Sequence, residues 1–247
     1  MLLKNKTAII TGTRRGIGHA IVEAFAKEGA NIWAHARKAT PEFIEDMEQL
    51  SQKYNIQIRP LCFELTDYNA MKVAVTEIMA SKIPIDILVN NAGITHTSLF
   101  QMSKIEDLRE EFEVNFFSVF IFTQYISKLM TRKKSGSIIN IASTAGIDAN
   151  SGKSMYGSAK AAVICMTNVI SEEIGTVGVR ANCIAPGMTK TDMLDILNDK
   201  MLNELLDTTD LHRVGRPSEI ADTAVFLASD LASYITGQVI RVDGGLG

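Results

Sequence analysis

Short runs of near-continuous Ile, Val, Leu and Ala take turns with amphipathic stretches along almost the whole chain, and that alternation leaves few folds open. Thr7-Ala8-Ile9-Ile10-Thr11 reads as a buried strand, and Ile17 to Lys27 as a helix with Ile21, Ala24 and Phe25 on one face. Asn31 to Ala36 reads as a second strand. Thr40 then offers an N-cap, and Pro41 a first helical position, for a helix to Tyr54. Pro60 cannot donate to a central ladder, so a third strand over Ile56 to Phe63 belongs at a sheet edge. The pattern continues with a helix from Tyr68 to Ser81, a strand from Ile85 to Asn90 and one long helix from Ile105 to Arg132. A strand over Ser137 to Ser143, a helix over Met155 to Thr176 and a strand over Val179 to Ala185 follow. Pro217 opens a helix to Ala228, and Gln238 to Asp243 closes as a seventh strand. Strands apolar on both faces need helices on both faces, which means an α/β fold with a doubly wound parallel sheet.

The 247 residues fit one domain spanning 1–247. The stretch from Met188 to Arg216 has no strand partner, and its apolar residues Met193, Leu194, Leu197, Met201 and Leu205 fall at helical spacing, so it reads as a lid or as helices packed on the body. With 46% apolar and 21% charged residues, disorder is excluded. Twenty-eight acids against 25 Lys and Arg give a net charge of −3, a poor electrostatic footprint for nucleic acid. Cys62, Cys165 and Cys183 are odd in number and widely spaced, which suits small apolar fillers in a reducing compartment. The stretch before the first strand is too short for a signal peptide, and no apolar run approaches the roughly 18 residues of a membrane span. No membrane partner and a cytoplasmic location are expected.

The first strand runs directly into Thr11-Gly12-Thr13-Arg14-Arg15-Gly16-Ile17-Gly18. Glycines at 12, 16 and 18 let the backbone turn tightly and approach a ligand, and the helix that starts there offers free N–H groups to a pyrophosphate. An NAD-preferring site usually has an acid about 20 residues further on, to bind the ribose 2′-hydroxyl. Here Ala34-His35-Ala36-Arg37-Lys38 has none. Arg15 and Arg37 together suit a 2′-phosphate, which guanidinium groups bind by charge-assisted forks. NADP(H) is therefore the expected cofactor.

Ser143 ends the fifth strand, and Tyr156 and Lys160 follow as an i, i+4 pair on one helix face. A free phenol, with a pKa of roughly 10, is a poor base at neutral pH. A nearby ammonium and a positively charged nicotinamide both favour the phenolate and bring proton exchange nearer to the working pH. Ser143 is placed to hydrogen-bond the reacting oxygen. Lys153, three residues before Tyr156, reads either as an attractor of an anionic group or, more simply, as a solvated loop lysine.

These features, with Asn90-Asn91-Ala92-Gly93, Asn115, Pro186-Gly187 and Val242-Asp243-Gly244-Gly245, run from residue 7 to residue 245. The whole resembles the short-chain dehydrogenase/reductase family in its single-domain, Tyr-dependent branch. The resemblance implies a Rossmann-type seven-stranded parallel sheet of order 3-2-1-4-5-6-7. It also implies a catalytic tetrad of Asn115, Ser143, Tyr156 and Lys160, in which Tyr156 exchanges the proton, Ser143 polarises the carbonyl, Lys160 binds the nicotinamide ribose and Asn115 holds a water leading from Lys160 to solvent. Cofactor contacts are implied for Gly12, Arg14, Arg15, Gly16, Ile17 and Gly18 in the turn, for Arg37, and for Asn91, Ala92 and Gly93. Tyr156 and Lys160, then Pro186, Gly187, Thr189 and Thr191, would meet the nicotinamide end. The family often has an Asp after strand three that meets the adenine amine; here Glu64 precedes Leu65, and these two stand in its place.

Within the family the chain looks most like the β-ketoacyl-acyl-carrier-protein reductases, through Arg15, Lys190-Thr191-Asp192-Met193 and Arg213-Val214-Gly215-Arg216-Pro217. That implies an acyl-carrier-protein thioester as substrate, with Arg132-Lys133-Lys134 as one basic cluster for the acidic carrier. The other readings are a reductase of a free small carbonyl or alcohol, sugar or polyol, and a cofactor-sensing regulator without catalysis. A homotetramer is implied, which fits the aromatic excess of Val114 to Ile126.

Overall fold

A computed structural model describes residues 1–190 and 206–246. The described residues form one seven-stranded sheet, every pairing parallel, with the order β3-β2-β1-β4-β5-β6-β7. The strands are β1 (Thr7–Ile10), β2 (Asn31–Ala36), β3 (Ile58–Cys62), β4 (Ile87–Asn90), β5 (Gly136–Ile141), β6 (Val179–Pro186) and β7 (Val239–Val242). Between them lie α1 (Gly16–Lys27), α2 (Pro41–Tyr54), α3 (Tyr68–Ala80), α4 (Ile105–Phe112), α5 (Ser118–Lys133), α6 (Ser154–Gly175) and α7 (Pro217–Ala228). Pro60 sits on β3 opposite Ala34 of β2, and the sheet ends at that strand, as a residue without an N–H requires.

Alternate strand residues feed two cores. Ile10, Ile32, Ala34, Val89 and Ile139 pack with Ile21 and Phe25 of α1, Phe43 and Met47 of α2 and Ile220 of α7. Ile9, Trp33, Leu88 and Ile138 face the other way, onto Met71 and Ile78 of α3 and Phe122 and Ile126 of α5. The period of two along each strand thus sorts the helices into two layers. Helix starts follow local chemistry. The Thr40 hydroxyl accepts from Phe43 N and the Asp67 carboxylate from Asn69 N and Ala70 N, caps worth about 1 kcal/mol each.

The stretch expected as a single helix from Ile105 to Arg132 is not regular. α4 stops at Phe112, a π-helical turn spans Glu113–Phe117, and α5 carries on from Ser118. A π-turn adds a residue to one turn of helix, and such turns recur at functional sites. Asn115 lies inside it, fully buried.

The strand order reverses between β1 and β4, so the loops leaving the carboxyl ends of β1, β4 and β5 open onto one crevice, the usual ligand position in a sheet of this kind. Beneath it runs a buried polar relay. Asn90 Nδ2 donates to Thr123 Oγ1 (2.8 Å) and to Asn140 Oδ1 (2.7 Å), Asn140 Nδ2 donates to Thr167 Oγ1 (2.8 Å), and Thr167 donates to Val163 O (2.7 Å). Each buried amide has partners, so the relay ties α5, β4, β5 and α6 into a fixed arrangement.

Candidate active site

The glycine turn is folded hard against the exit of β4. Gly12 and Gly16 have φ of +70° and +59°, the left-handed region. A Cβ on Gly12 would lie 2.8 Å from Ala92 Cα, and one on Gly18 would lie 2.1 Å from Gly12 O and 2.4 Å from Asn91 Nδ2. Asn91 holds the turn in place: its Nδ2 donates to Thr11 O (3.0 Å) and Gly12 O (3.1 Å), while Thr11 Oγ1 accepts from Asn91 N and Ala92 N. Gly93 is equally tight, since a Cβ there would sit 2.8 Å from Asn115 Oδ1 and 3.6 Å from Lys160 Nζ.

His35, to which sequence reading gave no role, joins three strand ends. Its Nδ1 accepts from Gly12 N (3.3 Å) and its Nε2 donates to Phe63 O (3.0 Å), while His35 O accepts from Thr13. The ring is 3% exposed, and burial lowers its pKa from 6.5 to about 4, so it stays neutral at physiological pH.

α1 starts at Gly16 with no side-chain cap from Arg15 and no acid in its first turn. Its first N–H groups and the positive end of its dipole are therefore offered to an anion at the place where the two glycines bring main chain to the surface. The residues present fit the pyrophosphate of a dinucleotide. Arg14 and Arg15 in the glycine turn and Arg37 and Lys38 after β2 are exposed. Arg37 Nε lies 3.9 Å from Glu64 Oε2, so the carboxylate expected near the adenine leans back toward the end of β2, while Leu65 is buried. At the opposite end Gly187 N donates to Val242 O, a Cβ on Gly187 would come within 2.6 Å of Asp243 Cβ, and Thr189 Oγ1 donates to Gly187 O. Thr191 and residues 191–205 of the expected lid lie outside the described residues.

Ser143, Tyr156, Lys160 and Asn115 come together beside that crevice. Ser143 follows β5 in extended conformation, and its Oγ accepts from Ala145 N (3.1 Å), which leaves its own proton to donate. Lys160, 4% exposed, donates to Ile141 O (2.8 Å), and its Nζ is 5.7 Å from the Tyr156 ring centre. In the protein alone the proton balance differs from the activation expected of this pair. Burial pushes the Tyr156 phenol up to about 12, with the Ser143 hydroxyl pulling it down and the Glu111 charge pushing it further up. Burial lowers the Lys160 ammonium to about 8. Desolvation thus shifts both groups toward their neutral forms, although an ammonium near 8 is still mostly charged at neutral pH. Both polar atoms of the Asn115 side chain bond Ile94, Oδ1 accepting from its N–H and Nδ2 donating to its carbonyl, both at 2.9 Å.

A second polar cluster lies in the segments that follow β4 and β5, and sequence reading missed most of it. Glu111, fully buried on α4, accepts the His96 N–H with Oε1, while Oε2 has no hydrogen-bond partner. Lys153 is not the solvated lysine favoured from sequence. It is half-buried, and its Nζ donates to Thr95 Oγ1 (3.1 Å) and Thr97 Oγ1 (2.7 Å). Ser98 N donates to Gly152 O (3.1 Å), so the loops leaving β4 and β5 are stitched together. The available signal was spacing, because Glu111 precedes Asn115 by four residues, an acid in the phase of a buried face.

The basic cluster expected to dock an acidic carrier lies elsewhere. Arg132, Lys133 and Lys134 end α5 and lead into the start of β5, and Lys133 pairs with Asp86 just ahead of β4. They sit at the amino ends of the strands, whereas the crevice is at the carboxyl ends, and as cations at the end of α5 they also complement its dipole. Among the described residues no group of three or more His, Cys, Asp or Glu could hold a metal ion, and no helix is long and apolar enough to cross a membrane.

A family model described as enoyl-(acyl carrier protein) reductase matches residues 12–247. A 3-oxoacyl-[acyl-carrier-protein] reductase FabG of Chlamydia trachomatis is 40% identical, with 99% of this chain and 98% of that one covered. A 3alpha-hydroxysteroid dehydrogenase of Mediterraneibacter gnavus is 36% identical with the same coverage. Among solved structures, a candidate gluconate dehydrogenase from Agrobacterium tumefaciens superposes with a TM-score of 0.94 at 30% identity, covering 99% of this chain and 96% of that one. A short chain dehydrogenase/reductase family protein superposes at 0.86 with 32% identity, covering 99% and 98%.

Proposed function

The chain belongs to the short-chain dehydrogenase/reductase family and is an oxidoreductase acting on CH–OH groups, and we propose that it reduces 3-oxoacyl thioesters of acyl carrier protein with NADPH. Family membership implies a nicotinamide dinucleotide, which supplies or removes the hydride when bound. The phosphate of NADPH would lie among Arg14, Arg15 and Arg37, with Glu64 as a partial counter-charge.

The observation that carries the reading is the convergence of Tyr156, Lys160 and Ser143 on the crevice that the glycine turn borders. In the reducing direction Tyr156 must hold a proton at its phenol oxygen and release it to the substrate oxygen, and a phenol raised to about 12 is fully protonated at neutral pH. Ser143, its Oγ already accepting from Ala145 N, donates to the same oxygen and fixes its position. Lys160 would hold the nicotinamide ribose and, when charged, favours the phenolate left after proton transfer. Since both Asn115 amide atoms serve Ile94, a water link from Lys160 would run through main chain of the π-turn. The relatives named as 3-oxoacyl-carrier reductases favour the thioester substrate, the location is expected to be cytoplasmic, and the assembly a homotetramer.

A single comparison tests this: NADPH consumption at 340 nm with an acetoacetyl thioester against a panel of sugars, polyols and simple ketones. Thioester turnover well above the panel is expected. The alternative, a dehydrogenase of a free polar carbonyl, is favoured by the likeness to a candidate gluconate dehydrogenase and by the polar cluster around Lys153, and a sugar acid or polyol leading the panel would establish it.

A further inference from the structure

Two charged groups beside Tyr156 sit where folding alone disfavours them. Lys153 is the N-cap residue of α6, a 22-residue helix whose dipole presents its positive end there, and the ammonium is also half-buried. A cation at that position is opposed by the dipole and by desolvation together. Glu111 is 0% exposed with Oε2 unpartnered, a costly position for a carboxylate. Local conflicts of this sort cluster at functional sites.

We propose that Lys153 reads the substrate next to its reacting carbonyl, donating a hydrogen bond to a second, neutral oxygen acceptor, which in a 3-oxoacyl thioester is the thioester carbonyl, and that Glu111 positions the loop that aims it. The inference rests on the thioester reading above. Lys153 precedes Tyr156 by three residues, so the two side chains share one end of α6. Two of its three N–H groups go to Thr95 and Thr97, which fixes the direction of the third. Glu111 anchors His96, between those two threonines, and its charge acts on Lys153. A cation backed by a buried acid suits a neutral acceptor, because an anion would meet Glu111 behind the lysine. A 3-oxo thioester carries its second carbonyl two carbons from the first, while a mono-ketone has none.

The test compares wild type, K153M, K153R and E111Q on S-acetoacetyl-N-acetylcysteamine and on 2-pentanone. In K153M the thioester kcat/KM should fall at least about 10-fold more than the 2-pentanone value, mainly through KM, as expected for loss of a charge-assisted hydrogen bond. K153R should recover most of the difference, and E111Q should show a smaller loss of the same kind, about 3-fold. The dissociation constant of the 3-hydroxybutyryl thioester from the NADP+ complex should move in parallel, with that of 2-pentanol moving less. Equal losses on both ketones, or none on the thioester, would overturn the role of Lys153. A wild-type enzyme that ignores the thioester but reduces a free sugar would instead overturn the functional reading.

Discussion

On the β1 side the floor of the crevice is main chain, made of glycine turns, an uncapped helix end and strand exits packed so tightly that Cβ atoms are excluded, with exposed charged side chains only around it. On the β5 side it is side chains: a serine, a tyrosine, two lysines and a buried glutamate, several of them anchored on main chain or threonines of the segments that follow β4 and β5. The first wall is tunable only through the charges around it, Arg14, Arg15, Arg37 and Glu64. The second can be retuned one residue at a time, which is how one scaffold serves fatty-acyl, steroid and sugar substrates among its relatives.

The sharpest way to break the contrast is Tyr156→Phe, which leaves the main-chain wall intact. A fall in kcat of about 10²–10⁴-fold is expected, with a far smaller change in NADPH binding by fluorescence titration. Next is a pH test of the histidine that holds the first wall. His35 is near pKa 4 when folded and about 6.5 when unfolded, so between those values the unfolded chain binds more protons. Stability should therefore be complete above pH 6.5, erode as pH falls toward 4 and then level off, a total contribution of about 3 kcal/mol. Urea melts across that range should show the slope in wild type and not in H35Q. Gly18→Ala comes third: its Cβ meets two backbone-anchored atoms, and a loss of about 1–3 kcal/mol is expected together with weaker NADPH binding. Smallest is Glu64→Gln, which removes the carboxylate beside exposed Arg37 and should raise NADPH affinity relative to NADH by about 2-fold at low salt.

The same contrast explains how much the sequence disclosed. The alternation of strands and helices, the edge place of Pro60 and the glycine turn are local or periodic, and a reader of residues finds them, whereas the strand order is long-range and comes only with the family resemblance. Ser143, Tyr156 and Lys160 were legible because their spacing is local too. His35 was not, since its role depends on Gly12 and Phe63, more than 20 residues away on either side. Glu111 and Lys153 meet only through the loops of two different strands, so no window of sequence shows them as neighbours. The π-turn was hidden because its residues have ordinary helical periodicity, and its extra residue appears only when the backbone is traced.

That turn makes the segment intolerant of changes in length. Removing a single residue between 113 and 117 would let a plain helix form, yet it would swing everything upstream through about 100° relative to everything downstream. Insertions and deletions that a surface loop absorbs would here turn Glu111 toward solvent and part Asn115 from Ile94. An apparently improved helix would therefore be a disabled protein.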